Sequence, residues 1–370
     1  MKVLTIIGAR PQFIKSAPVS KALQDADIKE FTVHTGQHYD VRMSEVFFEE
    51  MQLPKPYAML DCGNMAHAEM VAKMLAELAP IARELGPDVV LVYGDTNSTL
   101  AGALAATKLE IPLVHVEAGL RSYNLRMPEE MNRILTDRMS KVLFTPNDNA
   151  TATLLKEGYG AFDVQIENVG DVMYDALHTF LPNAAFNPEM GEESFFKKRF
   201  ALATMHRFEN VSDPKRLKQL VDELNRVHET CIPVWMPLHP STAARLKEFG
   251  LELKVQLAPP ASYLQMLYAL KHTSVVITDS GGLQKEAFFS QKPCVTLRNE
   301  TEWVELIDLK VNRLFTSNDS NLPEMITEAL AYESDYSYSG YGSGNAALRI
   351  ATTLQQFAQK LLNGVHTRGI

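Results

Sequence analysis

Short apolar runs alternate with amphipathic stretches along the first half of the chain. The runs are residues 3–7 and 31–35, followed by "DVVLVYGD", "IPLVHVEAG", "VLFTPND" and "VQIENVGD". The nearly continuous apolar character of "DVVLVYGD" is typical of a parallel strand covered on both faces. Because strands and helical periods alternate without hairpin dipeptides, the pattern predicts a doubly wound α/β sheet.

The same pattern restarts near residue 169. Five more strand ends follow, in "FALATMHRFENV", "CIPVWMPLHP", "KVQLAPP", "SVVITDSGG" and "KPCVTLRNE". A chain of 370 residues is also too long for a single ordinary core. We therefore predict two doubly wound Rossmann-like domains, residues 1–168 and 169–350, and a final C-terminal helix. The polar segment "NPEMGEESFFKKRF" is interpreted as lying on the surface.

Composition and charge narrow the class of protein. The hydrophobic fraction of 46% and the charged fraction of 22% are those of a globular protein, and the net charge of −9 argues against nucleic-acid or anionic-membrane partners. Cys62, Cys231 and Cys294 are far apart, which suits a reducing compartment and gives no zinc pattern. His34 and His38 flank a glycine in "HTGQH", which favours a turn over a metal site. Without a signal peptide or a long apolar span, we predict a soluble cytoplasmic protein.

The residues with useful chemistry lie where the predicted strands end. Ligands of open α/β sheets bind beyond the carboxyl ends of the strands. Those ends read "GAR" at 8–10, "GDT" at 94–96, "EAG" at 117–119, "HR" at 206–207, "HP" at 239–240, "DSGG" at 279–282 and "RNE" at 298–300. A purely structural sheet would end in arbitrary turn residues. We therefore predict that the strand ends of the two domains face each other across a cleft.

One strand end has the features of an anion site. No GxGxxG follows any strand and no Walker P-loop is present, which disfavours the dinucleotide-binding class. The stretch "TDSGGLQKEA" instead places Ser280, Gly281 and Gly282 at a helix start, where backbone N–H groups and the helix dipole favour a phosphate or pyrophosphate. A plain tight turn is the alternative. Arg10 and His206 would add positive charge, unless Arg10 pairs with a carboxylate and His206 caps a loop.

Several carboxylates follow strands of the first domain. Glu117 ends an apolar strand, which is unfavourable unless the carboxylate is paired or used, and Arg121 is its obvious structural partner. Asp95 has an alternative role as the N-cap of the next helix, and Glu129 and Glu130 as first-turn acids. Three acids that converge below one anion site suggest proton transfer beside a phosphate.

Nine sequence blocks together resemble the non-hydrolysing UDP-N-acetylglucosamine 2-epimerases. They are "GARPQFIK", "HTGQHYD", "VYGDTNSTLAGALAA", "HVEAGLRS", "MPEEMNRILTD", "NVGDVMYDA", "TMHRFEN", "LHP" and "TDSGGLQKEA". The resemblance implies the two-domain glycosyltransferase B architecture with UDP in the interdomain cleft, a homodimer, and neither a cofactor nor a metal. It also implies that a C-terminal helix, roughly residues 351–370, packs back on the first domain.

The resemblance assigns roles to individual positions. It implies catalytic roles for Asp95, Glu117, Glu129 and His206. It implies UDP-sugar binding by Arg10, Lys15, Ser280, Gly281, Gly282 and Glu286. Within this set, Ser280 to Gly282 would hold the diphosphate and Glu286 the ribose hydroxyls.

The implied reaction interconverts UDP-N-acetylglucosamine and UDP-N-acetylmannosamine for surface polysaccharide precursors. UDP leaves to give a 2-acetamidoglucal and then adds back. The segment "TEWVE" at residues 301–305 is similar to that of enzymes acting on UDP-2,3-diacetamido-2,3-dideoxyglucuronic acid, which is the alternative substrate. A glycosyltransferase B enzyme, with the same fold and an acceptor, is the alternative of another class.

Overall fold

The computed structural model describes residues 1–37 and 48–367, with side chains described as far as residue 359. His38 of the "HTGQHYD" block lies outside the described residues. The chain forms two compact units, one from Met1–Thr179 with Ser339–Ile370, and the other from Phe180–Tyr338. The first unit thus extends past the predicted boundary at residue 168. It also includes residues 339–350, which were predicted to belong to the second domain.

Seven parallel strands form the sheet of the first unit, in the order β3-β2-β1-β4-β5-β6-β7. The strands are β1 Lys2–Ile7, β2 Lys29–His34, β3 Ala58–Met59, β4 Val89–Tyr93, β5 Leu113–Val116, β6 Val142–Thr145 and β7 Gln165–Asn168. The helices are α1 Arg10–Asp25, α2 His67–Leu85, α3 Asn97–Lys108, α4 Pro128–Met139, α5 Asp148–Lys156 and α6 Val172–Phe180. The strand order reverses between β1 and β4. In doubly wound sheets, ligands bind beyond the carboxyl ends of the strands at such a reversal.

The burial of β4 shows why the apolar pattern predicted this sheet well. All five residues of the strand are buried, and α1 and α3 both contact it. A strand covered by helices needs apolar side chains on both faces. The two-residue edge strand β3 has no such requirement, and the pattern missed it.

The second unit repeats this topology with six parallel strands, in the order β10-β9-β8-β11-β12-β13. The strands are β8 Ala201–Thr204, β9 Val234–Pro237, β10 Gln256–Ala258, β11 Val275–Thr278, β12 Cys294–Thr296 and β13 Asn312–Leu314. The helices are α7 Glu193–Phe196, α8 Phe208–Val211, α9 Pro214–Thr230, α10 Pro240–Phe249, α11 Tyr263–His272, α12 Gly281–Phe289, α13 Val304–Asp308 and α14 Leu322–Ala331. Here the order reverses between β8 and β11. The sixth strand, β13, adds to the five that were predicted.

The segment "NPEMGEESFFKKRF" lies mostly on the surface, as predicted, but three of its apolar side chains are buried. Phe196 and Phe200 are buried and pack edge to face, with ring centroids 5.3 Å apart. The indole of Trp235 lies 5.4 Å from the Phe196 ring and donates a hydrogen bond to the carbonyl of Met190, the third buried residue. These buried residues anchor an otherwise exposed segment to the second unit.

The last helix, α15 Ala346–Thr367, belongs to the first unit and packs against α1. Its first two N–H groups, from Ala346 and Ala347, donate to the buried Asp175 carboxylate at 3.1 and 2.9 Å. Burial raises the pKa of Asp175. Asp175 thus acts as a cap supplied from a distant part of the chain. None of the helices within the described residues is long and apolar enough to cross a membrane.

We expect Asp175→Ala to loosen the start of α15, because two buried N–H groups lose their acceptor. The cost should be about 1–3 kcal/mol of unfolding free energy. Hydrogen exchange should quicken at Ala346 and Ala347, and thermal melting should shift downward. The control is Thr352→Ala on the exposed face of the same helix, which should change stability by less than about 0.5 kcal/mol. Unchanged exchange at the helix start in Asp175→Ala would contradict the capping role.

Candidate active site

The predicted residues of the first unit follow neighbouring strands of its sheet. Strand β1 pairs with β4, and β4 pairs with β5. Arg10 begins the helix after β1, Asp95 follows β4 and Glu117 follows β5. Because the strands are parallel, these three residues leave the sheet at the same edge. Lys15, one helical turn after Arg10 on α1, reaches the same place and contacts Glu117.

Glu117 is held in an unusual position. Its backbone is left-handed, with φ at 68°, a region that non-glycine residues rarely adopt and that often marks functional sites. The carboxylate is largely buried and pairs with the Lys15 ammonium, which favours the ionised form. Arg121 instead pairs with Asp137 and Glu157. The alternative interpretation of Glu117 as the partner of Arg121 is therefore wrong.

Gly94 makes room for this ion pair. Its φ is 61°, and a Cβ atom added there would lie 3.2 Å from Glu117 Oε2 and 3.4 Å from Lys15 Nζ. A side chain at this position would be strained and would crowd the carboxylate. The glycine before Asp95 thus allows the turn after β4 to lie against the Glu117–Lys15 pair.

Asp95 is about a third exposed and forms an ion pair with the Arg133 guanidinium. Asn132 donates a hydrogen bond to the Asp95 carbonyl at 2.9 Å. The N-cap of α3 is Thr96, whose hydroxyl accepts from the Thr99 N–H. Asp95 is therefore not the helix cap, and its carboxylate pairs with Arg133 instead.

The two adjacent acids at the start of α4 have different environments. Glu130 is fully buried, and its carboxylate accepts the N–H groups of Ser122 and Tyr123 at 2.9 and 2.8 Å and lies 3.2 Å from Arg133. Glu129 is partly exposed, and no hydrogen bond or ion pair joins it to another residue in the described part of the chain. Glu130 thus has a structural role, whereas Glu129 is available to a ligand.

Gln12 is a positioning residue that the sequence reasoning missed. Its side-chain oxygen accepts the N–H groups of Gly8 and Ala9 at 2.9 and 3.1 Å, and its nitrogen donates to the Tyr93 carbonyl and the Thr99 hydroxyl at 2.9 and 3.0 Å. These four bonds satisfy the whole amide. They tie the end of β1 to the end of β4. A glutamine three residues after a helix N-cap is a capping-box signal that pointed to part of this role.

In the second unit, Asp279 orients His206. The buried Asp279 carboxylate accepts the backbone N–H groups of His206 and Arg207, both at 2.9 Å, and lies 3.3 Å from His206 Nδ1. The His206 side chain is 41% exposed. With Nδ1 directed at Asp279, Nε2 is the ring nitrogen available to a ligand. The sequence marked Asp279 only as part of a strand end.

The predicted anion site lies at the start of α12. Ser280 is the N-cap, and Gly281 and Gly282 are the first two residues of the helix, so their N–H groups have no intrahelical partner. Neither glycine has a positive φ, and an added Cβ would stay at least 3.8 Å from every described atom around it. Internal packing therefore does not require glycine here. The space beside both glycines would allow close approach of a ligand to the backbone. Glu286, in the second turn, is buried.

The "TEWVE" segment contacts and stabilises the start of α12. The Trp303 indole donates to the Gly281 carbonyl at 3.0 Å, and the Lys285 ammonium lies 4.1 Å from the Trp303 ring centroid. Glu302 forms a bidentate ion pair with Arg298, at 3.0 and 2.9 Å. The distinctive tryptophan of the segment thus contacts the turn predicted to hold a diphosphate.

Comparison with known proteins identifies the relatives of this chain. The sequence model of the family described as UDP-N-acetylglucosamine 2-epimerase matches residues 21–355. The UDP-2,3-diacetamido-2,3-dideoxy-D-glucuronate 2-epimerase of Pseudomonas aeruginosa is 47% identical over 355 residues, covering 96% of this chain and 99% of that protein. The UDP-N-acetylglucosamine 2-epimerase of Methanocaldococcus jannaschii is 38% identical, covering 96% and 99%.

Solved structures share the whole architecture. The crystal structure of the M. jannaschii UDP-GlcNAc 2-epimerase with UDP-GlcNAc and UDP matches with a TM-score of 0.88 at 38% identity, over 96% of this chain and 100% of that one. The Neisseria meningitidis enzyme bound to UDP-GlcNAc matches with a TM-score of 0.85 at 30% identity, over 96% and 100%. The glycosyltransferase SnogD of Streptomyces nogalater, at 16% identity and a TM-score of 0.56 over 98% and 99%, shares the fold alone.

The predicted fold class is confirmed, because both units are doubly wound parallel sheets and the structural relatives have the glycosyltransferase B architecture. The predicted enzyme class is confirmed by the family match and by the two relatives from P. aeruginosa and M. jannaschii, which are named as UDP-sugar 2-epimerases. The chain belongs to the UDP-N-acetylglucosamine 2-epimerase family and is an isomerase.

Proposed function

We propose that this isomerase inverts C2 of a UDP-2-acetamido sugar by eliminating UDP and adding it back. The observation that carries the proposal is the buried Glu117–Lys15 ion pair, which lies at the end of β5 beside the end of β4 that presents Asp95. A charged carboxylate held in strained backbone beside other acids suits proton transfer. The second unit supports it with a helix start whose glycines leave room for a diphosphate.

The proposed reaction needs no carbonyl beside C2. A carboxylate takes the C2 proton while the bond between C1 and the diphosphate oxygen breaks, which leaves UDP and a 2-acetamidoglucal. A second acid then protonates C2 from the opposite face, and UDP adds back to C1. Protons and electron pairs balance over the two steps. Acids that can reach both faces of the sugar explain why Asp95, Glu117 and Glu129 all serve the site.

The remaining residues act on the nucleotide in this proposal. The N–H groups of Gly281 and Gly282, with Arg10 and His206, stabilise the negative charge that develops on the departing diphosphate. Asp279 fixes the His206 ring for this role. Glu286 binds the ribose hydroxyls. The nucleotide is thus held mainly by the second unit, and the sugar reacts with the acids of the first.

We propose UDP-N-acetylglucosamine as the substrate and UDP-N-acetylmannosamine as the product, a precursor of surface polysaccharide. The family match and the two ligand-bound relatives support this choice. UDP-2,3-diacetamido-2,3-dideoxyglucuronate is the second candidate. It is favoured by the name of the 47% identical relative and by the "TEWVE" segment, whose Trp303 contacts the proposed diphosphate turn.

We also propose that the enzyme works as a homodimer in the cytoplasm. Met131 and Leu135 lie one turn apart on α4, and both are exposed apolar side chains, which suits a contact with a second copy. Cys62, Cys231 and Cys294 are free thiols, as in proteins of reducing compartments.

The first test of the reaction is epimerisation in D2O without an acceptor. UDP-N-acetylglucosamine should give a mixture with its manno epimer, deuterated at C2 in both sugars, because the abstracted proton exchanges with solvent. NMR of the products measures the label. Turnover without deuterium would reject elimination. Turnover of the diacetamido-uronate alone would select the second substrate, and UDP release that depends on an acceptor would indicate a glycosyltransferase.

The second test separates chemistry from binding. Asp95→Asn, Glu117→Gln and Glu129→Gln keep the shape of each side chain but remove its proton-transfer ability. Turnover should fall by roughly 10²–10⁴, while the UDP dissociation constant, measured by calorimetry, stays within a few-fold.

Two further variants serve as references for this test. Asp163→Asn removes a fully exposed carboxylate of the same unit and should leave turnover unchanged. Gly282→Val fits the protein's own packing but should weaken UDP binding, since each lost hydrogen bond to the charged diphosphate is worth roughly 1.5–3 kcal/mol. A folded Glu117→Gln enzyme with wild-type turnover would show that Glu117 is only the ion-pair partner of Lys15.

The third test concerns assembly. Light scattering should give twice the mass of one chain, and Leu135→Lys should shift the population toward monomer because a buried ammonium is unfavourable in an interface. Leu257→Lys, at an exposed apolar position of the second unit, is the matched control. A wild-type monomer would refute the homodimer, and a Leu135→Lys dimer as tight as wild type would refute the α4 interface.

A further inference from the structure

A fully buried histidine lies beneath the two turns that carry the proposed acids. His115 is on β5, and its side chain has no exposed surface. Its Nε2 atom lies 2.7 Å from the Gly94 carbonyl oxygen, and its Nδ1 atom lies 2.7 Å from Asp137 Oδ1. Because a carbonyl oxygen can only accept a hydrogen bond, Nε2 carries a hydrogen.

The other ring nitrogen lies beside a buried carboxylate. Burial alone would raise the pKa of Asp137, but its hydrogen bonds and charge interactions with His115 and Arg121 outweigh burial, so that the pKa is lowered. The contact between Nδ1 and Asp137 Oδ1 fixes the orientation of the His115 ring, which directs Nε2 at the Gly94 carbonyl.

The Asp137 carboxylate also belongs to a charged network. Asp137 Oδ2 accepts from Arg121 at 2.7 Å, and Arg121 forms two further bonds with Glu157, at 2.9 and 2.8 Å. Arg121 thus joins two carboxylates. A buried charge pair of this kind is costly to break from one side, since the remaining partner is left uncompensated.

The network contacts both turns of the candidate site. His115 binds the carbonyl of Gly94, the residue before Asp95. Asp137 Oδ2 accepts the N–H of Gly119, two residues after Glu117, at 3.2 Å. Gly94, Glu117 and Gly119 all have left-handed backbones, with φ at 61°, 68° and 83°. Glycine adopts this conformation readily, but for Glu117 it is strained and persists only where the surroundings hold it.

We propose that His115 is a positioning residue, which holds the Gly94 carbonyl through its Nε2–H and so sets the distance between Asp95 and the Glu117–Lys15 pair. The inference rests on the proposed roles of Asp95 and Glu117. His115 touches neither the sugar nor the nucleotide in this scheme. Its loss therefore affects the chemical step and not substrate affinity.

Two substitutions separate the functions of the two ring nitrogens. The glutamine amide of His115→Gln reaches about as far as Nε2 and can still donate to Gly94. The asparagine amide of His115→Asn reaches about as far as Nδ1 and can donate only to Asp137. We expect kcat of His115→Gln to stay within about tenfold of wild type, and kcat of His115→Asn to fall by about 10², the effect of a small misplacement of reacting groups.

Substrate affinity distinguishes a positioning role from a merely structural one, because a general disturbance of the site would also weaken binding. KM and the UDP dissociation constant should stay within about threefold in both variants, as expected when only the transition state is affected. Ser140→Ala removes another buried hydrogen bond near the end of α4, from the Ser140 hydroxyl to the Thr136 carbonyl. It is the control for general destabilisation and should keep wild-type kcat. Equal kcat in the Asn and Gln variants, or KM rising as kcat falls, would overturn the proposal.

A double-mutant cycle distinguishes failure of this inference from failure of the proposed function. In a Glu117→Gln background, His115→Asn should lower turnover by less than about threefold more, because the group that it positions no longer works. An independent loss of about 10² would overturn the positioning role. If Glu117→Gln alone has wild-type turnover, the proposed function fails instead.

Discussion

A carboxylate at the end of a buried strand must be compensated, and much of the first unit is arranged around this requirement. Glu117 leaves β5 in a left-handed conformation and pairs with Lys15 from α1. Gly94 keeps space open beside that pair. Lys15 supplies the compensating charge, because a buried carboxylate without a partner is strongly unfavourable.

The doubly wound topology supplies the groups that meet at this point. Parallel strands send every carboxyl end to one edge, and the reversal of strand order between β1 and β4 opens a space there. In the second unit the strand order likewise reverses between β8 and β11. Asp279 orients His206 there, and α12 begins there. The carboxyl ends of the strands thus present acids in the first unit and, at the start of α12, N–H groups without an intrahelical partner in the second.

Positioning residues outnumber the groups proposed to react. Gln12 uses all four of its hydrogen bonds to join two turns, and Glu130 binds the loop that precedes α4. Trp303 performs a comparable function at the start of α12. Reacting groups must be held to within a fraction of an ångström, and buried polar side chains with every bond satisfied provide this rigidity.

The sequence by itself determined the fold class, the strands covered on both faces, and the strand ends that carry chemistry. Those properties follow from apolar periodicity and from residue types that a structural turn would not need. The sequence missed the two-residue strand β3 and the buried aromatic side chains around Phe196, since neither produces a local periodicity. Only the tertiary structure decided which partner each charged group has. Arg121 is four residues from Glu117 along the chain, yet it pairs with Asp137. Lys15 is on α1, far from Glu117 in the sequence, yet it pairs with Glu117. Ion pairs and hydrogen bonds depend on distances in space, and those distances are set by which strands lie side by side.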